Sequence, residues 1–348
     1  MQTVNINTSK KYNVYIDKSF DENFPNIIKE TVFSKKILIV SDNTVKELYF
    51  DKVKSIFEGL GFEVFDFVFS SNEEQKTLST IEKIYRTLFE NNFTKGDTIV
   101  ALGGGIVSDT AGFAGATFLR GINCIYFPTT LLSMVDACVG GKTAVNTYFG
   151  KNQIGVIRQP DAVFIATDTL STLENREFSC GMAEIIKTAM IKSESLFELL
   201  ETKDFEDIKE DVISQCIKIK ASVVEEDEFD TSKRLILNFG HTIAHAIEKK
   251  SDYEIKHGEA VAIGMSLITK RAVKNGLCDE DTLIRLNMLL HKYSLSCGAV
   301  CPVTELLPYI KRDKKNYLDN IKIALCEKIG QGYVKDFSYN DFVSFLTE

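Results

Sequence analysis

Three of the chain's four histidines fall between positions 238 and 259. His241 and His245 are four apart, so on a helix they project from one face. His257 heads the next apolar run, where its ring could turn back towards that pair. Neutral imidazoles joined by a carboxylate can hold a divalent metal and leave positions open for substrate. HxxxH alone is a weak motif, and a helix carrying two polar or capping histidines has the same spacing. A second constellation is Gly103-Gly104-Gly105, directly after the apolar run Thr98-Ile99-Val100-Ala101-Leu102. Three residues without side chains between a strand and a helix let backbone amides approach a pyrophosphate, and the helix N-terminus adds partial positive charge. Ser108 stands at the third glycine position of GxGxxG, and a tight structural turn would look much the same. Asp42, at the end of an earlier apolar run, is placed to accept hydrogen bonds from ribose hydroxyls. It would repel a 2′-phosphate, which favours NAD over NADP. Its alternative is an N-cap for a helix starting near Val45. A third group, Asp109, Arg120, Asp136, Lys142, Lys151 and Asn152, lies in or beside Gly-rich turns. Cations gathered at a cleft suit an anionic substrate, whereas singly each reads as surface charge.

The elements that must position these groups follow from pattern. Ile37-Leu38-Ile39-Val40 and the run at 98–102 are short and fully apolar, as buried parallel strands are. Residues 63–69 and 123–127 read as further strands and Val163 to Ile165 as a candidate last one. Helices are expected at 45–60 and around Ile81, Ile84, Tyr85 and Leu88, whose spacing marks one buried face. Strand–helix alternation predicts an α/β N-terminal domain with a mostly parallel, Rossmann-like sheet, ligands lying at the carboxyl ends of its strands. Beyond about Pro160 the alternation fades into a mainly α-helical C-terminal domain. Its helices are expected from Gly181, at 208–224, at 257–274 and at 279–293, with a short apolar strand at 321–325. The expected domains are 1–160 and 161–348. Glu184 and Lys187 share a side of their helix, the acidic run at 225–228 reads as a solvated loop, and His291 as surface or packing. Positions 312–315 read as a basic turn.

Composition narrows the function classes. The 348 residues suffice for one large or two ordinary domains, and 44% hydrophobic with 26% charged residues matches a globular protein. A net charge of −8 argues against non-specific nucleic-acid binding. No apolar run approaches the roughly 18 residues of a membrane span, and the first twenty residues lack a signal-peptide core. Eight cysteines are scattered without a CxxC. Cys297 and Cys301 are four apart but have no second pair to complete a zinc knuckle. Reduced thiols and a cytoplasmic protein are expected.

The ordered motifs resemble the 3-dehydroquinate synthase family over nearly the whole chain. They are the stretch from Gly103 to Phe113, Arg120-Gly121, Pro128-Thr129-Thr130-Leu131-Leu132, Val135-Asp136, Gly140-Gly141-Lys142-Thr143, Lys151-Asn152, Gly181-Met182-Ala183-Glu184-Ile185-Ile186-Lys187, Leu237-Asn238-Phe239-Gly240-His241-Thr242, His245-Ala246-Ile247-Glu248, His257-Gly258-Glu259 and Asp313-Lys314-Lys315. The resemblance implies a metal, zinc most often and cobalt as an alternative, held by Glu184, His241 and His257, with His245 acting in the active site and not as a ligand. It implies NAD contacted by Asp42, Glu73, Lys76, Gly104, Gly105, Asp109, Thr129, Thr130, Lys142, Lys151 and the turn bearing Thr169 and Thr172. The substrate, 3-deoxy-D-arabino-heptulosonate 7-phosphate, is implied to meet Lys142, Lys151, Asn152, Lys187, Arg234, Asn238 and His245 as catalytic groups, and Arg120, Asp136, Lys220 and Lys314 or Lys315 as binding groups. An active site in the cleft between the domains and a homodimer are implied as well. So is the reaction: transient oxidation by NAD, phosphate elimination, re-reduction, and an internal aldol-type closure to 3-dehydroquinate.

Several positions depart from the family pattern. Asp230 stands where glutamate is usual, one methylene shorter. Asn43-Thr44 reverses the usual order after Asp42. Ala144, Thr147 and Tyr148 replace residues usually Gly, His and Pro, and Glu174-Asn175 lacks the usual proline before Arg176. None removes a group that does chemistry. The rival readings are a metal-dependent polyol or alcohol dehydrogenase, another sugar phosphate cyclase, and a non-catalytic nucleotide-binding regulator. A dehydrogenase would need metal and nucleotide but no box of five or more cations.

Overall fold

The computed structural model describes residues 1–313 and 320–347. The chain divides into two compact units, Met1–Glu174 and Asn175–Glu348. The division falls later than position 160 because the strand at 162–166 pairs within the first unit's sheet.

The first unit runs β1 (Gln2–Asn7), β2 (Lys11–Asp17), α1 (Phe24–Thr31), β3 (Lys36–Asp42), α2 (Asn43–Val45), a π-helical turn (Lys46–Phe50), α3 (Asp51–Gly59), β4 (Glu63–Phe69), α4 (Leu78–Glu90), β5 (Thr98–Gly103), α5 (Gly105–Thr117), β6 (Asn123–Pro128), β7 (Lys142–Thr147), β8 (Gly150–Ile157) and β9 (Ala162–Ala166). Seven strands form one sheet in the order β1-β2-β9-β6-β5-β3-β4. Only β1 and β2 pair antiparallel; the other neighbours are parallel. β5 and β9 are buried along their whole length, which is why they read as unbroken apolar runs. Phe20, Phe24, Phe57, Phe127 and Phe164 fill one face of the sheet, with the Phe127 and Phe164 rings stacked at 5.0 Å. From β3 the chain passes to β4 on one side and then to β5 on the other. Strand order therefore reverses between β3 and β5, and the carboxyl ends of such a pair open a crevice for a ligand.

Two features of this unit differ from the sequence expectation. The β1–β2 hairpin was not foreseen. The stretch at 142–157, read as Gly-rich turns, is an antiparallel ribbon of β7 and β8.

The second unit runs α6 (Asn175–Lys192), α7 (Glu194–Thr202), α8 (Phe205–Glu226), a 3-10 turn (Lys233–Asn238), α9 (His241–Lys250), α10 (His257–Lys274), α11 (Glu280–Lys292), α12 (Leu307–Asp313), β10 (Asn320–Lys328), β11 (Gln331–Ser338) and α13 (Tyr339–Thr347). It is mainly helical, but the expected strand has an antiparallel partner, β11. Helix α6 starts at Asn175, ahead of Gly181. Arg312 and Asp313 end α12 and are not a turn; Lys314 and Lys315 lie outside the described residues. Glycines set the helix spacing. A Cβ on Gly258 of α10 would strike the Cys180 backbone of α6, and one on Gly264 would strike Gly240 ahead of α9. Among the described residues no helix is long and apolar enough to cross a membrane.

Candidate active site

Those close helix contacts bring three side chains together in the second unit. Glu184 lies one turn beyond Cys180 on α6, while His241 and His257 are the first residues of α9 and α10. One ligand atom from each of the three lies within 4.8 Å of the others. Glu184 Oε1 is 3.7 Å from His241 Nε2 and 3.4 Å from His257 Nε2. The opposite nitrogens are anchored: His241 Nδ1 is 3.1 Å from the Phe239 carbonyl, and His257 Nδ1 is 3.4 Å from Glu248 Oε2. Carbonyl and carboxylate oxygens only accept. Each ring therefore keeps its Nδ1 proton and turns Nε2 to Glu184, the orientation that supporting acceptors give to metal-binding histidines.

The charges fit a cation. Burial alone would raise the Glu184 carboxyl, but Lys187, then His241 and His257, hold it well below the usual carboxylate range. Lys187 Nζ is 2.5 Å from Glu184 Oε2, yet neither carboxylate oxygen accepts a hydrogen bond of acceptable angle, and both are buried. Burial pushes His241 down to about 3, with Lys187 adding to it against the pull of Glu184. Burial also opposes a charge on His257, but its contacts with Glu184 and Glu248 raise it to about 10. The carboxylates that draw a proton there would also draw a divalent ion. One carboxylate and two imidazoles leave positions open, as catalytic zinc sites do, and the donor set suits cobalt as well. His245 sits one turn along α9, its ring centre 5.8 Å from that of His241 and 6.4 Å from that of His257.

Cations of the same unit are buried, which charged groups rarely are unless they are paired. Lys187, Lys220 and Arg234 are 2%, 7% and 3% exposed. Arg234 Nη1 donates to the Glu228 carbonyl at 2.8 Å. The loop before it winds around the Asp227 carboxylate, which accepts from the backbone N–H of Thr231 (3.0 Å), Ser232 (2.7 Å) and Arg234 (3.1 Å). The acidic run is thus no uniformly solvated loop: Glu225 and Glu226 lie on α8, and Asp227 is buried. Asn238 closes the 3-10 turn, half-buried, and His291 is exposed. Neither Glu248 nor Asp227 was singled out in the sequence for its role, although Glu248 lies seven residues beyond His241 on the same helix face.

In the first unit, the carboxyl ends of the central strands gather the nucleotide candidates. Gly104 is the N-cap of α5 and offers no side-chain cap, so the first amides of a 13-residue helix point out unpaired by any side chain. A Cβ on Gly104 would press on Thr130 at 3.0 Å. Thr129 Oγ1 is buried without a hydrogen-bond partner. An uncapped helix, a stripped backbone and an unused hydroxyl form a cradle for a pyrophosphate. Asp42 does cap a helix, accepting from Val45 N–H at 3.0 Å. Burial raises its carboxyl, against hydrogen bonds from Val45, Thr44 and Ser71. Thr169 and Thr172 lie in a 3-10 turn whose Thr169 carbonyl and Thr172 hydroxyl meet the Tyr49 hydroxyl.

The remaining candidates of this unit form a linked set. Buried Lys76 donates to Asp109 Oδ2 at 2.5 Å and to Asn152 Oδ1 at 2.6 Å, and Lys151 Nζ lies 3.4 Å from Glu73 Oε1. Asp136 is in a π-helical turn, and Lys142 opens β7, exposed. Arg120 is exposed and adopts φ +65°, beside Leu119 at +49°. Two consecutive non-glycine residues in the left-handed region are uncommon and hold some backbone strain.

Known proteins resemble the chain over its whole length. The family models described as 3-dehydroquinate synthase N-terminal and C-terminal match residues 66–180 and 181–316. The 3-dehydroquinate synthase of Clostridium perfringens (strain 13 / Type A) is 42% identical over 353 aligned positions, covering 99% of this chain and 100% of that one. The crystal structure of 2-deoxy-scyllo-inosose synthase complexed with carbaglucose-6-phosphate, NAD+ and Co2+ superposes with a TM-score of 0.87 at 27% identity, covering 99% of each chain. That of 2-epi-5-epi-valiolone synthase from Streptomyces hygroscopicus subsp. jinggangensis 5008, with NAD+ and Zn2+ bound, gives 0.87 at 25%, covering 96% of this chain and 95% of that one. On identity, coverage and motif order together, the chain belongs to the 3-dehydroquinate synthase family.

Proposed function

We propose that this enzyme converts 3-deoxy-D-arabino-heptulosonate 7-phosphate to 3-dehydroquinate and phosphate. The observation that carries the reading is the Glu184–His241–His257 cluster, with both imidazoles turned to the carboxylate and buried cations on the same unit. When bound, a divalent metal would make a substrate hydroxyl easier to deprotonate and NAD would take and return its hydride. Unit Met1–Glu174 holds NAD at Gly104, Gly105, Thr129 and Thr130, with Asp42, Glu73, Lys76 and Asp109 around it. Unit Asn175–Glu348 holds the metal, zinc or cobalt. In that unit Lys187, Lys220, Arg234, Asn238 and His245 bind anionic groups of the substrate, and within unit Met1–Glu174 Lys142, Lys151 and Asn152 do so. Arg120 and Asp136 complete the set. Fixing both anionic ends keeps the geometric advantage of an intramolecular closure. The protein works as a cytoplasmic homodimer.

The test incubates protein, NAD, zinc and the heptulosonate phosphate. Phosphate release without accumulating NADH is expected. NADH accumulating in proportion to enzyme turnover would replace this reading with that of a polyol dehydrogenase. Release that is faster from a different sugar phosphate would make the chain a related cyclase.

A further inference from the structure

The β7–β8 ribbon is regular only at its base. Lys142 to Val145 pair with Ile157 to Ile154, and Thr147 pairs with Gly150. Between these pairs one residue of β7, Asn146, faces three of β8, Lys151, Asn152 and Gln153. Bulges of this kind lift side chains out of a ladder and are common beside active sites. Asn152 sits at φ +54° within it, a conformation that asparagine tolerates better than most residues.

Asn146 holds this bulge. Its Oδ1 accepts from Asn152 N–H at 2.9 Å. Its Nδ2 donates to Glu73 Oε2 at 2.6 Å and to the Glu73 carbonyl at 3.1 Å. Its backbone N–H donates to the Lys76 carbonyl at 2.7 Å. The segment it grips is itself tied to the helix after the glycine cradle, through Lys76 and Asp109. The ribbon's tip offers no apolar anchor, since Tyr148 is 99% and Phe149 88% exposed.

We infer that Asn146 is a positioning residue that couples the two ligand sites of this unit: it makes the placement of Lys151 and Asn152 depend on what lies against Glu73, Lys76 and α5. An anion held by Lys151 and Asn152 and a dinucleotide on the glycine cradle then favour the same position of the ribbon, and each tightens the other's binding. The inference deepens the proposed function and rests on it.

The test titrates NAD into the protein by calorimetry, in inorganic phosphate and in chloride of equal ionic strength. Wild type is expected to bind NAD at least about five-fold more tightly in phosphate. In Asn146→Ala this ratio should fall by at least about half, the direct links of Lys76 to Asn152 and of Lys151 to Glu73 remaining, while affinity in chloride changes less than the ratio does. Asn146→Asp keeps the acceptor for Asn152 but sets a carboxylate against Glu73. It should lower the ratio too, and it decides the matter if the alanine variant does not fold. A ratio of one in wild type, or an undiminished ratio in the folded variants, overturns the inference. Phosphate release by wild type, measured alongside, separates that outcome from failure of the proposed function.

Discussion

Gly258→Ala probes what assembles the metal cluster. The new Cβ would lie 2.7 Å from Cys180 C and nearer still to its Cα and O, against an ordinary contact of 3.4–4 Å. Those are backbone atoms of a helix, so no rotamer relieves them; α6 and α10 must part by about 1 Å to restore van der Waals distance. Glu184 rides on the first helix and His257 neighbours the substituted residue on the second. Metal–ligand distances tolerate only about 0.2 Å, so the cluster would open several times further than an ion permits. Overpacking of a close contact costs about 1–3 kcal/mol, or roughly 2–12 °C in melting temperature for a domain of this size. Losing a contact that merely supports a ligand weakens metal binding about 10–100-fold, and displacing the ligand itself should weaken zinc by at least as much. The assays are thermal unfolding with zinc and with chelator, and a competitive titration against a chromophoric chelator. Gly59→Ala, where a Cβ meets nothing within 4 Å, is the control. Wild-type melting and wild-type zinc affinity in Gly258→Ala would refute the claim that this glycine sets the ligand spacing.

Two further outcomes follow from the same unit. Glu248→Gln keeps the shape of the side chain but removes the charge that faces His257 Nδ1; zinc affinity should drop about 10–100-fold, the metal-free protein should melt lower too because Glu248 helps keep His257 protonated, and equal affinity would show that Glu248 does not support the ligand. Asp227 is held below the usual carboxylate range by hydrogen bonds, Thr231 N–H first, against some burial. A depressed carboxyl contributes its stability above the unfolded value of about 3.9 and loses it as pH falls through the folded value. Wild type should therefore lose stability on acidification below about pH 5 more steeply than Asp227→Asn, and parallel melting curves against pH would sink that assignment.

How much of this was legible in the sequence depends on how each element buries itself. β3, β5 and β9 are covered on both faces, so they announce themselves as apolar runs. In β7 only Thr143 and Val145 are buried, too short a pattern to mark a strand, while β8 is exposed along most of its length and leaves no alternation to read. β11 is half-buried almost throughout and was missed for the same reason. The site divides along a similar line. The histidine spacing pointed to a metal, but an i, i+4 pair favours His241 with His245, two residues of one helix. The structure instead groups His241 with His257 and Glu184, which belong to three helices, because Gly258, Gly264 and Gly240 let those helices touch. Periodicity describes one element at a time, whereas a ligand set is a relation between elements. That relation is written in the residues that have no side chain, and a glycine reports it only when the backbone that fills its place can be seen.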